Sequence, residues 1–315
     1  MQGVSIGAWT SRSWRTVEYR DVVLVRDGVR LVVDAVEVPR FLAWPRQRVD
    51  DLARAPVHVS RATVEISPRP APADRPAPSV ARTVRDLREA WRLAARWLPS
   101  ARVEELIVLA GEHRVEVGGA VWDGRSLEAG LALPERDIRA HVRVEAGDGG
   151  NLTVTATDDS RGLRIHAGLE ERPDAGIHLS STVSWRDVPV DLVAEFGPEG
   201  VLPESAAATS TGFSVPAATL GLQGYAPVAG SLEFAWSDAA FTLRLDARAD
   251  PQAPGEWPPV AVDVRASGDT NRIRLDAVAI ETPAVRATLS QPLEVDLAAR
   301  MPRDPAEFSV LADLA

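Results

Sequence analysis

Residues 79–99 read SVARTVRDLREAWRLAARWLP and contain the clearest helical signal in the sequence. Apolar residues recur there at steps of three and four, so they share one face of a helix, while arginines and acidic residues fill the other face. Pro99 marks the end of the segment. We predict one amphipathic helix at about 79–98, whose packing face comprises Val80, Val84, Leu87, Trp91, Ala94 and Leu98.

Most of the remaining sequence alternates apolar and polar residues, as in Ile138–Ala146, Ile177–Trp185 and Phe241–Arg248. Alternation at period two predicts β-strands with one apolar face. The strands follow one another with short polar turns, and no series of helices separates them as parallel βαβ units would require. We therefore predict a mainly β protein, a long antiparallel β-meander with one amphipathic α-helix.

The apolar face of such a meander has to be covered. The sheet can curl into a taco-like groove that holds a ligand, or two apolar faces can cover each other in a packed sandwich. The sequence permits both arrangements. The low content of Phe and Tyr, six and two residues, slightly favours the groove because closed cores of this size usually use more aromatic volume.

Local signals divide the chain into four segments. Residues 1–66 form an amino-terminal β module, and residues 67–78, SPRPAPADRPAP, form a proline-rich linker. The helix follows at 79–98. Residues 99–315 form a multi-strand β region that we expect to be open-ended at the carboxyl terminus.

Three finer features are predicted within these segments. Asp27-Gly28 suits a hairpin turn, and the apolar residues between Phe41 and Leu52 suggest a helical turn and a loop. A change of apolar parity near Ala277 predicts a β-bulge. Residues 197–229 are rich in Gly, Pro, Ala and Ser and give the weakest strand signal.

Composition argues against several classes of function. The net charge is −10, which argues against nucleic-acid binding because a phosphate backbone calls for a basic surface. The chain has no cysteine, so disulfides and thiolate metal sites are excluded. No apolar stretch reaches the roughly 20 residues of a transmembrane helix. We expect the chain to be a fragment, with a targeting or anchoring segment upstream of Met1.

No catalytic or metal-binding motif stands out. The five histidines are dispersed, so we predict no metal site and no cofactor. Asp158-Asp159 lies among turn-forming residues between two strands, which favours a turn over paired acid–base carboxylates. The serines lack a nucleophile motif and the glycines lack a phosphate-loop context. We predict that the protein is not an enzyme.

The helix itself has two interpretations. Five arginines against two acidic residues, with Trp91 and Trp97 on or beside the apolar stripe, would suit a helix lying on a membrane surface. A helix packed over one end or face of the sheet is the favoured interpretation, because its apolar face is narrow.

Three stretches share a cadence of strands, short turns and apolar links. They are residues 17–66, then WLPSARVEELIVLAG at 97–111 with VWDGRSLEAGLALP at 121–134, and finally IRLDAVAIETPAVRATLSQPLEVDLAA at 273–299. In this cadence the chain resembles the AsmA-like and TamB-like envelope proteins of Gram-negative bacteria. The resemblance covers most of the chain, but the amino-terminal transmembrane anchor typical of the family is missing from it.

The resemblance implies a curled sheet whose concave face is a continuous apolar groove. Proteins of this kind look like bridges that carry phospholipid between the inner and outer membranes or assist outer-membrane assembly. It further implies a periplasmic location, tethered to the inner membrane through an anchor upstream of the present chain. We expect the groove lining to include Val260, Val262, Val264, Ile273, Leu275, Val285, Leu289, Leu293, Val295 and Leu297.

Two other functional hypotheses remain open. The chain could be a structural or adhesive extracytoplasmic β-scaffold that binds protein partners through its sheet edges. A carbohydrate-active enzyme would need a cleft with paired carboxylates and stacking aromatic residues.

Overall fold

The computed structural model describes residues 3–26, 28–40, 57–67, 79–98, 100–147, 151–186, 188–253, 255, 257–297, 301–302 and 305–312. The predicted apolar patch at 41–52 and the proline-rich linker, apart from Ser67, lie outside the described residues. The chain divides into two compact units. Unit 1 comprises Met1–Pro78 and Arg82–Glu170, and unit 2 comprises Ser79–Ala81 and Glu171–Ala315.

Unit 1 contains ten strands and most of the helix among its described residues. The elements are β1 (Gly3–Ser11), β2 (Thr16–Arg26), β3 (Val29–Pro39), β4 (Val57–Ile66), α1 (Val80–Trp97), β5 (Ala101–Ala110), β6 (His113–Trp122), β7 (Ser126–Leu133), β8 (Ile138–Ala146), β9 (Leu152–Asp158) and β10 (Leu163–Glu171). Each strand pairs with the next one along the chain.

Unit 2 continues the same pattern of consecutive strands. They are β11 (Ile177–Trp185), β12 (Val188–Phe196), β13 (Ser205–Val215), β14 (Val228–Ser237), β15 (Ala240–Ala249), β16 (Val260–Asp269), β17 (Arg272–Glu281), β18 (Val285–Leu289), β19 (Leu293–Asp296), β20 (Met301–Pro302) and β21 (Phe308–Ala312). From β11 to β17 neighbours in sequence are neighbours in the sheet, after which β17 pairs with both β18 and β19, and β18 pairs with β21.

The mainly β fold with one helix is confirmed, and the pairing is antiparallel with one exception. Strands β4 and β5 run parallel, with Val57 opposite Ala101 and Ile66 opposite Ala110. The predicted antiparallel meander is therefore present, and this one parallel pair was not anticipated from the sequence. The connection between these strands contains α1, which returns the chain to the end of the sheet where β4 began, as a parallel pair requires.

Two predicted backbone features are present. Arg26 lies opposite Val29, so two residues connect β2 and β3, and Gly28 has the positive φ (84°) that such a turn needs. The bulge near Ala277 is also confirmed. Arg265 and Ala266 lie opposite Ala277 and Leu275, which leaves Asp276 without an opposite residue.

The buried core is small in both units. Trp91, Ala101 and Trp122 form one buried cluster, in unit 1, and Ala217, Val228 and Ala249 form another, in unit 2. Alanine accounts for most of the other buried apolar residues. Most large apolar side chains of the described strands are only partly buried.

Candidate functional site

Strand register builds a continuous apolar face on unit 2. Residues directly opposite each other in paired strands place their side chains on the same side of the sheet. Val264 in β16 lies opposite Leu245 in β15, which lies opposite Leu232 in β14, and on its other side Val264 lies opposite Val278 in β17. Following this register across the unit defines what we call the unit 2 apolar face.

The unit 2 apolar face carries no charged residue within its paired strands. Two serines, Ser181 and Ser210, are its polar members in this set. Its other members are Ile177, Leu179, Val183, Trp185, Val188, Val190, Leu192, Ala194, Phe196, Ala206, Ala208, Phe213, Val215, Val228, Gly230, Leu232, Phe234, Trp236, Phe241, Leu243, Leu245, Ala247, Ala249, Val260, Val262, Val264, Ala266, Gly268, Ile273, Leu275, Val278, Ile280, Val285, Ala287, Leu289, Leu293, Val295, Phe308, Val310 and Ala312.

Nine of the ten residues predicted to line a groove lie on this face. The structure brings together Val260, Val262, Val264, Ile273, Leu275, Val285, Leu289, Leu293 and Val295. Leu297 follows β19, where its backbone N–H donates to the carbonyl oxygen of Asn271 (3.0 Å) and its side chain is 40% exposed. The prediction did not include the face's contributions from β11 to β15 and from β21.

Few side chains of the face are fully buried. The buried members are Ile177, Ala194, Ala208, Ser210, Val228, Ala249 and Ala266, whereas most of the larger residues keep part of their surface exposed. Ile280 and Val285 are each 40% exposed. Two apolar faces packed as a sandwich would bury residues of this size completely. The exposure therefore favours an open apolar face within unit 2.

The opposite side of unit 2 is charged and solvated. Adjacent ion pairs follow the strands there, such as Arg244–Asp246 (3.0 Å), Arg274–Asp276 (3.0 Å) and Arg286–Glu281 (3.0 Å). A hollow of about 540 Å³ on this side is lined by residues that include Thr209, Glu233 and Arg265. Such exposed pairs contribute little stability and keep this side in water.

Unit 1 has an apolar face of its own. Leu127 and Leu131 lie on the same side of β7 because side chains alternate along a strand. Val117 and Trp122 of β6 lie opposite Leu131 and Leu127, so they share that side. From there the register continues to Val142 and Val144 in β8. Asp158 lies at the margin of this face, at the end of β9, and is 3% exposed.

A line of irregular residues crosses six strands of unit 1. The register omits Gly7 in β1, Asp21 in β2, which lies close to Gly7, and Asp34 in β3. It then omits Ser60 in β4, Glu104 in β5 and Gly119 in β6. On either side of this line the apolar residues occupy opposite phases of the alternation. The line therefore keeps both halves of each strand on one continuous apolar face, and the sequence analysis did not identify it.

Helix α1 packs over one end of the unit 1 apolar face. Trp91 and Trp122 form an edge-to-face pair with ring centroids 4.7 Å apart, and Trp122 Nε1 donates to the carbonyl oxygen of Leu98 (2.6 Å). Val57, Leu127 and other residues at strand ends pack around this pair. The favoured interpretation of the helix, packing over one end of the sheet, agrees with these contacts.

One residue of the predicted packing face of α1 is exposed instead. Val84 and Trp91 are buried and Val80, Ala94 and Leu98 partly so, but Leu87 is 45% exposed. Arg88 takes its place at 6% exposure and donates from Nη2 to the carbonyl oxygen of Leu169 (3.0 Å). A helix with about 3.6 residues per turn can direct either position 87 or position 88 toward the sheet. Arg88 occupies the buried position, where its guanidinium donates to the Leu169 carbonyl oxygen.

The ionisable residues singled out in the sequence have structural partners. His58, His141 and His178 each pair with a neighbouring glutamate, and the described residues contain no cluster of three or more groups able to hold a metal ion. Asp158 ends a strand, and the hydroxyl of Ser160 donates to its Oδ1 (2.5 Å), which lowers the pKa of that carboxyl. Asp158 thus stabilises the turn that the sequence predicted.

No helix within the described residues combines the length and the hydropathy of a transmembrane segment. Comparison with known proteins found no match among family models, curated proteins or solved structures.

Proposed function

We propose that this chain is a non-enzymatic segment of a cell-envelope protein that holds phospholipid acyl chains on its apolar sheet face. In this role it assists phospholipid transport between the inner and outer membranes of a Gram-negative bacterium, or outer-membrane assembly. The periplasm is the proposed location, with an inner-membrane anchor in the longer protein. The observation that carries the proposal is the unit 2 apolar face, which has no charged residue within its paired strands and whose large side chains are partly exposed.

The physical chemistry of the face suits acyl chains. Each methylene group transferred from water to an apolar surface contributes about 0.8 kcal/mol, so ten methylene groups contribute about 8 kcal/mol before ordering costs. Aliphatic side chains such as Leu245, Val262 and Leu275 offer contact without a polar group that would need a hydrogen-bond partner. A charged headgroup would remain in water beyond the face, and the role requires no catalytic group.

Site-specific photocrosslinking in living cells tests this proposal. Val262 and Ala261 are neighbours in β16 whose side chains lie on opposite sides of the sheet. A photoreactive amino acid at Val262 should form adducts with the mass of a phospholipid, whereas the same residue at Ala261 should not. Equal lipid labelling at both positions, or none at either, would contradict the proposal.

A structural or adhesive β-scaffold is the second candidate, and one observation favours it. Strand β1 contains no charged residue, all nine of its residues are exposed, and β2 is its one partner among the described residues. Natural edge strands usually carry charged residues or bulges that prevent pairing with another chain. A scaffold of this kind should bind a protein partner through β1, and Ile6→Lys should abolish that binding.

A further inference from the structure

Three neighbouring connections of unit 2 meet at one end of its apolar face. They are the β11–β12 turn, residues 216–227 between β13 and β14, and residues 250–259 between β15 and β16. The backbone N–H of Ala226 donates to the Asp250 carbonyl oxygen (2.8 Å), and Tyr225 Oη donates to that of Pro258 (3.1 Å). These bonds hold the two longer connections together.

Large apolar side chains project into solvent from this end. Trp185 is 44% exposed, Leu220 54%, Leu222 39% and Trp257 55%. We call these four residues the aromatic rim. Trp185 is also the last residue of β11 on the unit 2 apolar face, where it lies opposite Val188, so the rim is continuous with that face.

The two leucines are held outward by an ordered backbone. Residues Ala217–Leu220 form a 3₁₀ turn, Gly221 follows with a positive φ of 73°, and the N–H of Leu222 donates to the Ala217 carbonyl oxygen (3.0 Å). Ala217 packs inward against Val228 and Ala249. Ala217 is therefore buried, whereas Leu220 and Leu222 are exposed. A loop stabilised by apolar burial would bury its larger apolar side chains instead.

The charge pattern around the rim suits a lipid surface. Residues 205–232, which include the whole of the 216–227 connection, contain no charged side chain. Arg186 lies next to the rim with its guanidinium 5.1 Å from the centre of the Trp185 ring. Tryptophan and tyrosine with a nearby arginine are typical of the membrane interface, where the rings lie at headgroup level and the cation meets lipid phosphate.

The opposite end of the unit 2 apolar face provides a contrast. Val201 and Leu202 are each 56% exposed there, but Glu199 and Glu204 flank them. Carboxylates disfavour contact with an anionic membrane, and in the sequence the rim also has acidic neighbours, Asp187 and Glu256. What distinguishes the rim from this end is its two exposed tryptophans and the guanidinium near the Trp185 ring.

We infer that the aromatic rim docks unit 2 on the interface of a phospholipid bilayer, so that one end of the apolar face opens directly at the membrane. This inference rests on the proposed lipid function and names the membrane surface as the partner of that site. Trp185, Trp257, Leu220 and Leu222 insert among the headgroups, and Arg186 contacts lipid phosphate. Acyl chains then pass from the bilayer to the apolar face without crossing open water.

Flotation with vesicles of equal parts phosphatidylcholine and phosphatidylglycerol tests the inference. The wild-type chain should float with the vesicles, and Leu220→Glu combined with Leu222→Glu should weaken binding about tenfold or more, because charge replaces the inserting side chains. The matched control, Val201→Glu with Leu202→Glu at the opposite end, should bind like the wild type. Equal thermal midpoints of both variants and the wild type establish that folding is unchanged.

A second variant separates the electrostatic part of docking. Arg186→Glu should weaken binding to these anionic vesicles and leave binding to pure phosphatidylcholine vesicles unchanged. Equal binding by all variants, equal loss in the rim and control variants, or no binding by the wild type would overturn the inference. Lipid adducts at Val262 would still support the proposed function in each of these cases, so the two failures are distinguishable.

Discussion

Two glycines on the unit 2 apolar face lie beneath aromatic rings from the neighbouring strand. Gly230 lies opposite Phe213, and Gly268 lies opposite Phe241. A Cβ atom at Gly268 would overlap the carbonyl oxygen of Arg272 and the ring of Phe241. The ring therefore fills the space that a side chain would occupy, and the face stays smooth and apolar at a position without a side chain.

Replacing Gly268 with alanine should destabilise the protein. The added methyl group has no space, and such overpacking costs about 1–3 kcal/mol. Gly118→Ala is the matched control, because Gly118 is also in a strand but nothing lies within 4 Å of its Cβ position. Its free energy of unfolding should be unchanged or should rise by less than about 1 kcal/mol, as urea denaturation will measure. Equal effects of the two substitutions would contradict this account of Gly268.

Alternation in the sequence was sufficient to predict which residues of β16 to β19 share a face. It was insufficient where the alternation phase changes. Asp21 separates the apolar pair Val17 and Tyr19 from Val22 and Leu24, and the sequence shows the change of phase in one strand. What it does not show is that Ser60 and Glu104 fall on the same line, because strand register is a long-range property.

At the scale of elements, the parallel pair β4–β5 sets the position of α1. The connection leaves β4 at Ile66, its last residue, and enters β5 at Ala101. Ala101 lies opposite Val57, the first residue of β4. The helix lies on the apolar side near that entry point, where Trp91 meets Ala101 and Trp122. One end of the unit 1 apolar face is therefore covered by the same segment that makes the parallel crossover.

Trp91→Ala should destabilise unit 1 strongly. It removes the edge-to-face contact with Trp122 and leaves a cavity under the helix, and such truncations cost about 3–5 kcal/mol. Leu93→Ala on the same helix is the control, because Leu93 is 58% exposed and its truncation should change stability by less than about 0.5 kcal/mol. Thermal unfolding measures both. A similar loss in the two variants would show that the helix does not depend on its packing face.

Strand β13 shows why one element escaped prediction. Its sequence, SAAATSTGFSV, is dominated by alanine, serine and glycine, whose strand preference is weak. Pairing with β14 over most of its length provides the hydrogen bonds, and the register shift near Gly212 (φ 87°) returns Phe213 and Val215 to the apolar face. Neighbouring strands thus determine this segment more than its own composition does.

At the scale of the whole molecule, the proposed function depends on what covers the apolar face of unit 2. The face spans every antiparallel ladder from β11 to β18 and carries no charge within its paired strands, whereas the other side of the same sheet carries ion pairs. The sequence predicted this division of faces. It did not separate a groove from a filled sandwich, because both arrangements need the same alternation, and the partial exposure of the large side chains is what favours the open face.

Mass spectrometry of an organic extract of the purified chain will show whether phospholipid covers this face. Leu245→Asp with Val264→Asp places two charges on the apolar face, at positions directly opposite each other in β15 and β16. Thr242→Asp with Ser267→Asp is the matched control, an opposing pair on the other side of the same two strands. Phospholipid should accompany the wild type and the control and be lost from the apolar-face variant. A wild-type chain free of lipid, or lipid retained in both variants, would contradict the account.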